Sequence, residues 1–190
     1  MNKKIIAATV VALTLPVAAF AAEGDAGFKD KSLSYTYGEF GYVDRTADFP
    51  GDPGTDGFGF AVSYEFTDLL FGFLNYEDLS GDFDYSTTNF GIGAAVGLTD
   101  TIDGYAKLGL VDVDVAGATD DGFGLEFGAR SMVTEQVELF GALQYVDLTD
   151  AETGFEVGGR YWYKENLGFS LAYETFDDFN GFNLTARYEF

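Results

Sequence analysis

The last ten residues, GFNLTARYEF (181–190), are apolar or aromatic at every second position: Phe182, Leu184, Ala186, Tyr188 and Phe190. Four earlier segments share the pattern: GFGFAVSYEF (57–66), NFGIGAAVGL (89–98), GFGLEFGARS (122–131) and GFEVGGRYWY (154–163). Their leading phenylalanines, Phe58, Phe90, Phe123, Phe155 and Phe182, recur about every thirty residues, the length of a hairpin with its connections. Counting alternate positions from each Phe, only Ser131 and Gly159 break the apolar face. Only Ala61, Ala95 and Trp162 are apolar on the other. A period of two this regular describes strands with one greasy face and one polar face.

Antiparallel partners fall at 69–76, 103–111, 137–146 and 167–176, and a first strand at 32–43 brings the number to ten. The connections alternate in length. Thr67-Asp68, 99–102, Thr134-Glu135-Gln136 and 164–166 are short. The stretches 44–56, 77–86, 112–121, 147–153 and 177–180 are longer and acidic. Two strands are ambiguous. In 32–43, Leu33, Tyr35 and Tyr37 share one face while Phe40 and Tyr42 take the other, which a bulge around Gly38-Glu39 would reconcile. In 69–76 neither face is polar, so its register is open.

Alternation alone fits a soluble sandwich or lipocalin-like sheet as well as a membrane barrel. Three features favour the barrel. Glycine crowds the polar face (Gly59, Gly91, Gly93, Gly97, Gly124, Gly128, Gly158), which weakens a solvated strand but makes room inside a narrow bore. Strands of about ten residues, even in number, carry short turns at one end and long loops at the other. Aromatics bracket the apolar band: Phe58, Phe90, Phe123, Phe155, Tyr145 and Tyr173 near one end, Phe66, Tyr161, Tyr163, Tyr188 and Phe190 near the other. An unpaired edge in hydrocarbon is prohibitively costly, so the last strand must pair with the first. The predicted fold is an all-β, antiparallel up-and-down transmembrane barrel of ten strands, with eight as the alternative. Residues 1–22 fit a cleaved secretory signal: Lys3 and Lys4, an apolar run Ile5–Phe20, then Ala19-Phe20-Ala21. The barrel would be residues 23–190, placed in the cell outer membrane.

The terminal alternating strand ending on Phe190 resembles the signal read by the bacterial barrel-assembly machinery, which makes that machinery an expected partner of Phe182, Leu184, Ala186, Tyr188 and Phe190. LSYTYGEFGYV (33–43) followed by DGFGFAVSYEFTD (56–68) resembles a family of short proteobacterial outer-membrane barrels sometimes labelled as diffusible signalling factors. That resemblance spans nearly all of 23–190 and implies fold and location only.

By parity Arg130, Arg160 and Arg187 point inward, as does Lys107 if Ala106 and Leu108 face lipid. Glu65, Glu126, Glu138, Glu156 and Glu189 share that side. An Arg or Lys on the lipid face at the midplane would cost about 2–4 kcal/mol, so an ionic lumen is expected. Arg45 falls in a long loop, and Lys29, Lys31 and Lys164 near the short-turn end. Such a bore is either plugged by Arg–Glu pairs or a slender path for small solutes. Ten strands with long arginines favour the plug, because eight are just filled by side chains and open channels need about sixteen.

The formal charge of -22 makes nucleic acid an unsuitable partner. Outer-membrane lipids and lipopolysaccharide are the expected surroundings. The acidic stretches suggest weak Ca²⁺ or Mg²⁺ capture, best at 49–57 and 111–122, without the spacing of a calcium loop. No cofactor is otherwise expected. The chain has no His and no Cys, so histidine-based hydrolytic machinery cannot be built and no enzyme is expected. Asp120-Asp121 and Asp177-Asp178 are the remaining carboxylate pairs, and solvated loop acids are their plain reading. The competing function is a surface module binding through the acidic loops, with Phe49, Phe83, Tyr85 and Phe179 on its rim.

Overall fold

The computed structural model describes residues 30–48, 50–177 and 179–190. The signal segment 1–22, Lys29, Phe49 and Asp178 lie outside them. Ten strands form one antiparallel sheet: β1 (Tyr37–Ala47), β2 (Gly54–Glu65), β3 (Leu70–Gly81), β4 (Tyr85–Gly97), β5 (Ile102–Val115), β6 (Ala118–Met132), β7 (Val137–Asp147), β8 (Ala151–Lys164), β9 (Leu167–Phe176) and β10 (Phe179–Glu189). Each strand pairs with its sequence neighbours, and β10 pairs with β1 from Tyr37↔Glu189 to Ala47↔Phe179, closing the barrel. The described ladders shift register once, at Trp162/Lys164 between β8 and β9.

The outer surface is oily. Phe40, Ile92, Leu143 and Leu184 are each more than half exposed, and the phenylalanines that lead the repeat lie on the same side. A soluble sheet would bury this face. The inner face holds the buried arginines and Glu138. A closed sheet with an apolar belt and an ionic bore is an integral outer-membrane β-barrel.

Three turns at the N- and C-terminal end are built alike. In FTDLL (66–70), LTDTI (98–102) and VTEQV (133–137), the hydroxyls of Thr67, Thr99 and Thr134 accept hydrogen bonds from the two backbone N–H groups two and three residues on. Phe66, Leu98 and Val133 close each turn onto Leu70, Ile102 and Val137. This short threonine motif is legible in the sequence once the turns are located.

At the opposite end the acidic stretches are mostly strand. The connections shrink to 48–53, 82–84, 116–117, 148–150 and 177–178. The expected long loops are therefore corrected: alternation continues through Asp44, Arg45, Glu77, Asp112 and Asp114, so the ladders extend beyond the apolar band. Arg45 is no loop residue but a buried member of β1.

Both ambiguous strands resolve. The first begins at Tyr37, not at residue 32, and needs no bulge at Gly38-Glu39, because its ladders to β2 and β10 run without a break. Tyr37, Glu39, Val43 and Arg45 turn inward while Phe40 and Tyr42 face lipid. In β3, Phe71 and Phe73 turn inward and are buried, while Tyr76 packs on lipid-facing Phe60. The equation of apolar with lipid-facing fails at this end because the bore itself is stoppered by an apolar cluster. Tyr35, Phe71, Phe73 and Ala95 form it, with Leu33 and Tyr105 against them. Gly93 makes the cluster possible, since a β-carbon there would overlap the Phe71 ring.

Candidate functional site

The bore has two parts. The lower part, toward the threonine turns, is closed. Residues 30–36 precede β1 and seat inside the barrel mouth. The Asp103 carboxylate accepts from Ser32 N, Ser32 Oγ and Leu33 N at 2.8–2.9 Å. Tyr35 N donates to Glu65 at 2.7 Å, and Ser63 Oγ donates to the Tyr35 carbonyl at 2.6 Å. Lys31 reaches Glu65 at 3.4 Å. Arg130 donates to the Ser34 carbonyl at 2.8 Å and lies over the Tyr35 ring.

Above this segment runs an ion-pair lock. Glu138 on β7 accepts from Arg130 Nε at 2.7 Å, Arg160 Nη1 at 3.1 Å and Trp162 Nε1 at 3.1 Å. Arg160 on β8 continues to Glu39 on β1 at 3.1 Å, and Glu39 also pairs with Arg187 on β10. Arg130 on β6 approaches Glu189 on β10 at 3.7 Å. Glu138 meets Arg130 and Arg160 from the strands on either side, and Glu39 meets Arg187 in register, whereas Arg160–Glu39 and Arg130–Glu189 cross the bore. Three arginines (130, 160, 187) meet three glutamates (39, 138, 189), so the lock is neutral by count. Buried pairs of this kind hold only while every partner is present.

The upper part is open. A cavity of about 190 Å³ lies over the lock, and one of about 400 Å³ lies above that, under the acidic rim. They share Asn75, Glu77, Lys107, Glu126, Gln144 and Glu174. Lys107 pairs with Glu126 at 3.0 Å, and Tyr105 donates to the same carboxylate at 2.8 Å. Arg45 pairs with Glu174 at 2.6 Å and Glu77 at 3.1 Å, and donates to Asn183 at 2.7 Å. Glu156 lines the lower cavity, and among the described residues no ion pair holds it.

Of the residues singled out from sequence, Glu65 sits at the seated segment. Arg130, Glu138, Arg160, Arg187 and Glu189 meet in the lock. Lys107, Glu126 and Glu156 lie in the upper bore. Phe182, Leu184, Tyr188 and Phe190 are exposed on the lipid face, with Ala186 half-buried between them. Sequence reasoning missed Glu39, Asp103, Arg45, Glu77 and Glu174. Parity would have found them: Glu39 and Arg45 keep step with Tyr37, Asp103 with Lys107, and Glu174 with Ser170.

Among the described residues no three carboxylates converge as a metal site. The rim acids have other work. Asp82 binds Gly54 N, Asp114 binds Gly117 N, Asp120 binds Thr149 N and Asp177 binds Thr153 N, each holding a hairpin end. Tyr85 and Phe179 pack together at 5.9 Å from opposite sides of the mouth instead of forming an outward rim.

No protein-family model matches the chain, and no curated protein matches it. Solved structures similar to it include the KdgM porin, in a complex with disordered oligogalacturonate, at 13% identity and TM-score 0.49, covering 80% of this chain and 99% of that one. The NanC porin aligns at 5% identity and TM-score 0.49, over 82% of this chain and 100% of its own. Ail, the attachment invasion locus protein of Yersinia pestis, aligns at 14% identity and TM-score 0.41, over 83% and 100%.

Proposed function

We propose that this barrel serves the envelope as a structural element with a plugged, charge-lined lumen and no catalytic activity. The observation that carries this is the lock: Arg130, Glu138, Arg160, Glu39 and Arg187 form one chain of ion pairs, carried across the bore by Arg160–Glu39, above a chain segment that fills its mouth. At most a narrow path for ions or small solutes would remain between them. The surface-binding alternative draws less support, because the connections are short and Tyr85 and Phe179 engage each other. Kinship with the short outer-membrane barrels labelled as diffusible signalling factors belongs to the same proposal and rests on segments 33–43 and 56–68.

In a planar bilayer the purified barrel is expected to give sparse, small conductance or none. The double variant Arg130→Ala, Arg160→Ala should raise it. Large stable steps from the unmodified protein would overturn the plugged reading.

The assembly machinery is the proposed partner of β10. Phe190→Ser is expected to lower the folded barrel recovered from outer membranes, while protein refolded in detergent keeps its heat-modifiable mobility. Equal recovery of the variant from cells would remove that role.

A further inference from the structure

We propose that the upper bore is a binding site for a small amphipathic organic cation, an ammonium on a short apolar body, entering from the acidic side. The wall of the larger cavity is apolar over much of its area: Val111, Val113, Val146 and Phe176 line it. Its volume of about 400 Å³ falls within the range of small-molecule sites.

The floor is ionic and unbalanced. Glu77, Glu126, Glu156 and Glu174 set four carboxyl groups against two cations, Arg45 and Lys107. The two cations are already engaged, Lys107 by Glu126 and Arg45 by Glu174 and Glu77. Glu156 lies between these pairs, beside Glu174 on the neighbouring strand, without a cation. Close by, Gln144 pairs in register with Glu126, and its buried side-chain oxygen has no hydrogen-bond partner. Asn89, higher on the wall, has a second such oxygen.

Unpaired acceptors in a floor with more carboxyl groups than cations call for a donor that is positive. An ammonium offers three N–H donors and no acceptor. A hard metal ion fits poorly, since among the described residues no three carboxylates converge and the valine wall would contribute nothing. An anion is repelled by the floor and by the rim, whereas the acidic rim raises the local concentration of cations. The ammonium would sit between Glu156 and Gln144, with its apolar body against Val111, Val113 and Val146. This placement does not depend on whether the lock below conducts.

The test is calorimetric titration of the full barrel in lipid nanodiscs with hexylammonium, hexanol and hexanoate, with protein-free discs as the reference. Hexylammonium is expected to bind saturably, and hexanol and hexanoate at least about tenfold more weakly. Glu156→Gln should bring hexylammonium down to the level of hexanol while the barrel keeps its heat-modifiable mobility. Val113→Trp, which fills the cavity and leaves the charges, should weaken hexylammonium binding as well. The proposal is overturned if the three probes bind alike, or if uptake matches empty discs. It is also overturned if both variants bind as the parent does, or if equimolar Mg²⁺ displaces hexylammonium.

Discussion

Glu138 is the residue on which the lock turns. It is fully buried and takes hydrogen bonds from two arginines and the indole of Trp162. Removing its charge leaves Arg130 with only Glu189 at 3.7 Å and leaves Arg160 to share Glu39 with Arg187. Breaking a buried pair on one side costs about 3–5 kcal/mol. Glu138→Gln is therefore expected to lower the urea midpoint of the refolded barrel and to shift the emission of Trp162, the single tryptophan of the chain. An unchanged midpoint would mean that water already screens the lock. Glu138 was legible in sequence as an inward carboxylate, because parity is a property of the local backbone. Arg130 and Arg160 come from the two strands that flank it, but Glu39 and Glu189, which complete the lock, reach those arginines only across the bore.

Among the elements, the β5–β6 hairpin is the most exactly specified and also carries a flaw. Its two turn residues, Ala116 and Gly117, both have positive φ, at 53° and 85°. That is the turn whose twist matches paired strands, and it prefers Asn-Gly. Gly117 fits; Ala116 carries the steric cost of a β-carbon in the left-handed region. Ala116→Asn is expected to stabilise the barrel by roughly 0.5–1 kcal/mol, read as a raised unfolding midpoint. A lowered midpoint would show that this hairpin has another conformation in the membrane. The long acidic stretch 112–121 concealed the hairpin, because Asp-rich sequence suggests loop. What keeps it in strand is the continuing ladder, Asp112↔Asp121 and Asp114↔Thr119.

For the whole molecule, charge is sorted along the barrel axis. One mouth is sealed by a neutral lock and a seated segment, and the other carries exposed acids at Asp82, Asp121 and Asp177. Facing lipopolysaccharide phosphates, such a rim would need divalent ions to bridge like charges. The melting temperature of the barrel in lipopolysaccharide-containing bilayers is therefore expected to rise with Ca²⁺, and to respond little in zwitterionic lipid. The same response in both would assign the effect to the protein alone, and none in either would remove the bridging role.

Sequence alone determined the strand number, the two faces, the closure of the sheet and the side on which each charge of the repeat lies. All of these follow from the period of two, which covalent geometry imposes residue by residue, and from the cost of an open edge in hydrocarbon. The tertiary structure decided which apolar residues abandon the lipid, Tyr35, Phe71 and Phe73 filling the bore. It also decided that Arg160 reaches Glu39 and Arg130 reaches Glu189 across the bore. Those outcomes depend on distances across the closed barrel, between residues far apart in the chain, and no local pattern encodes them.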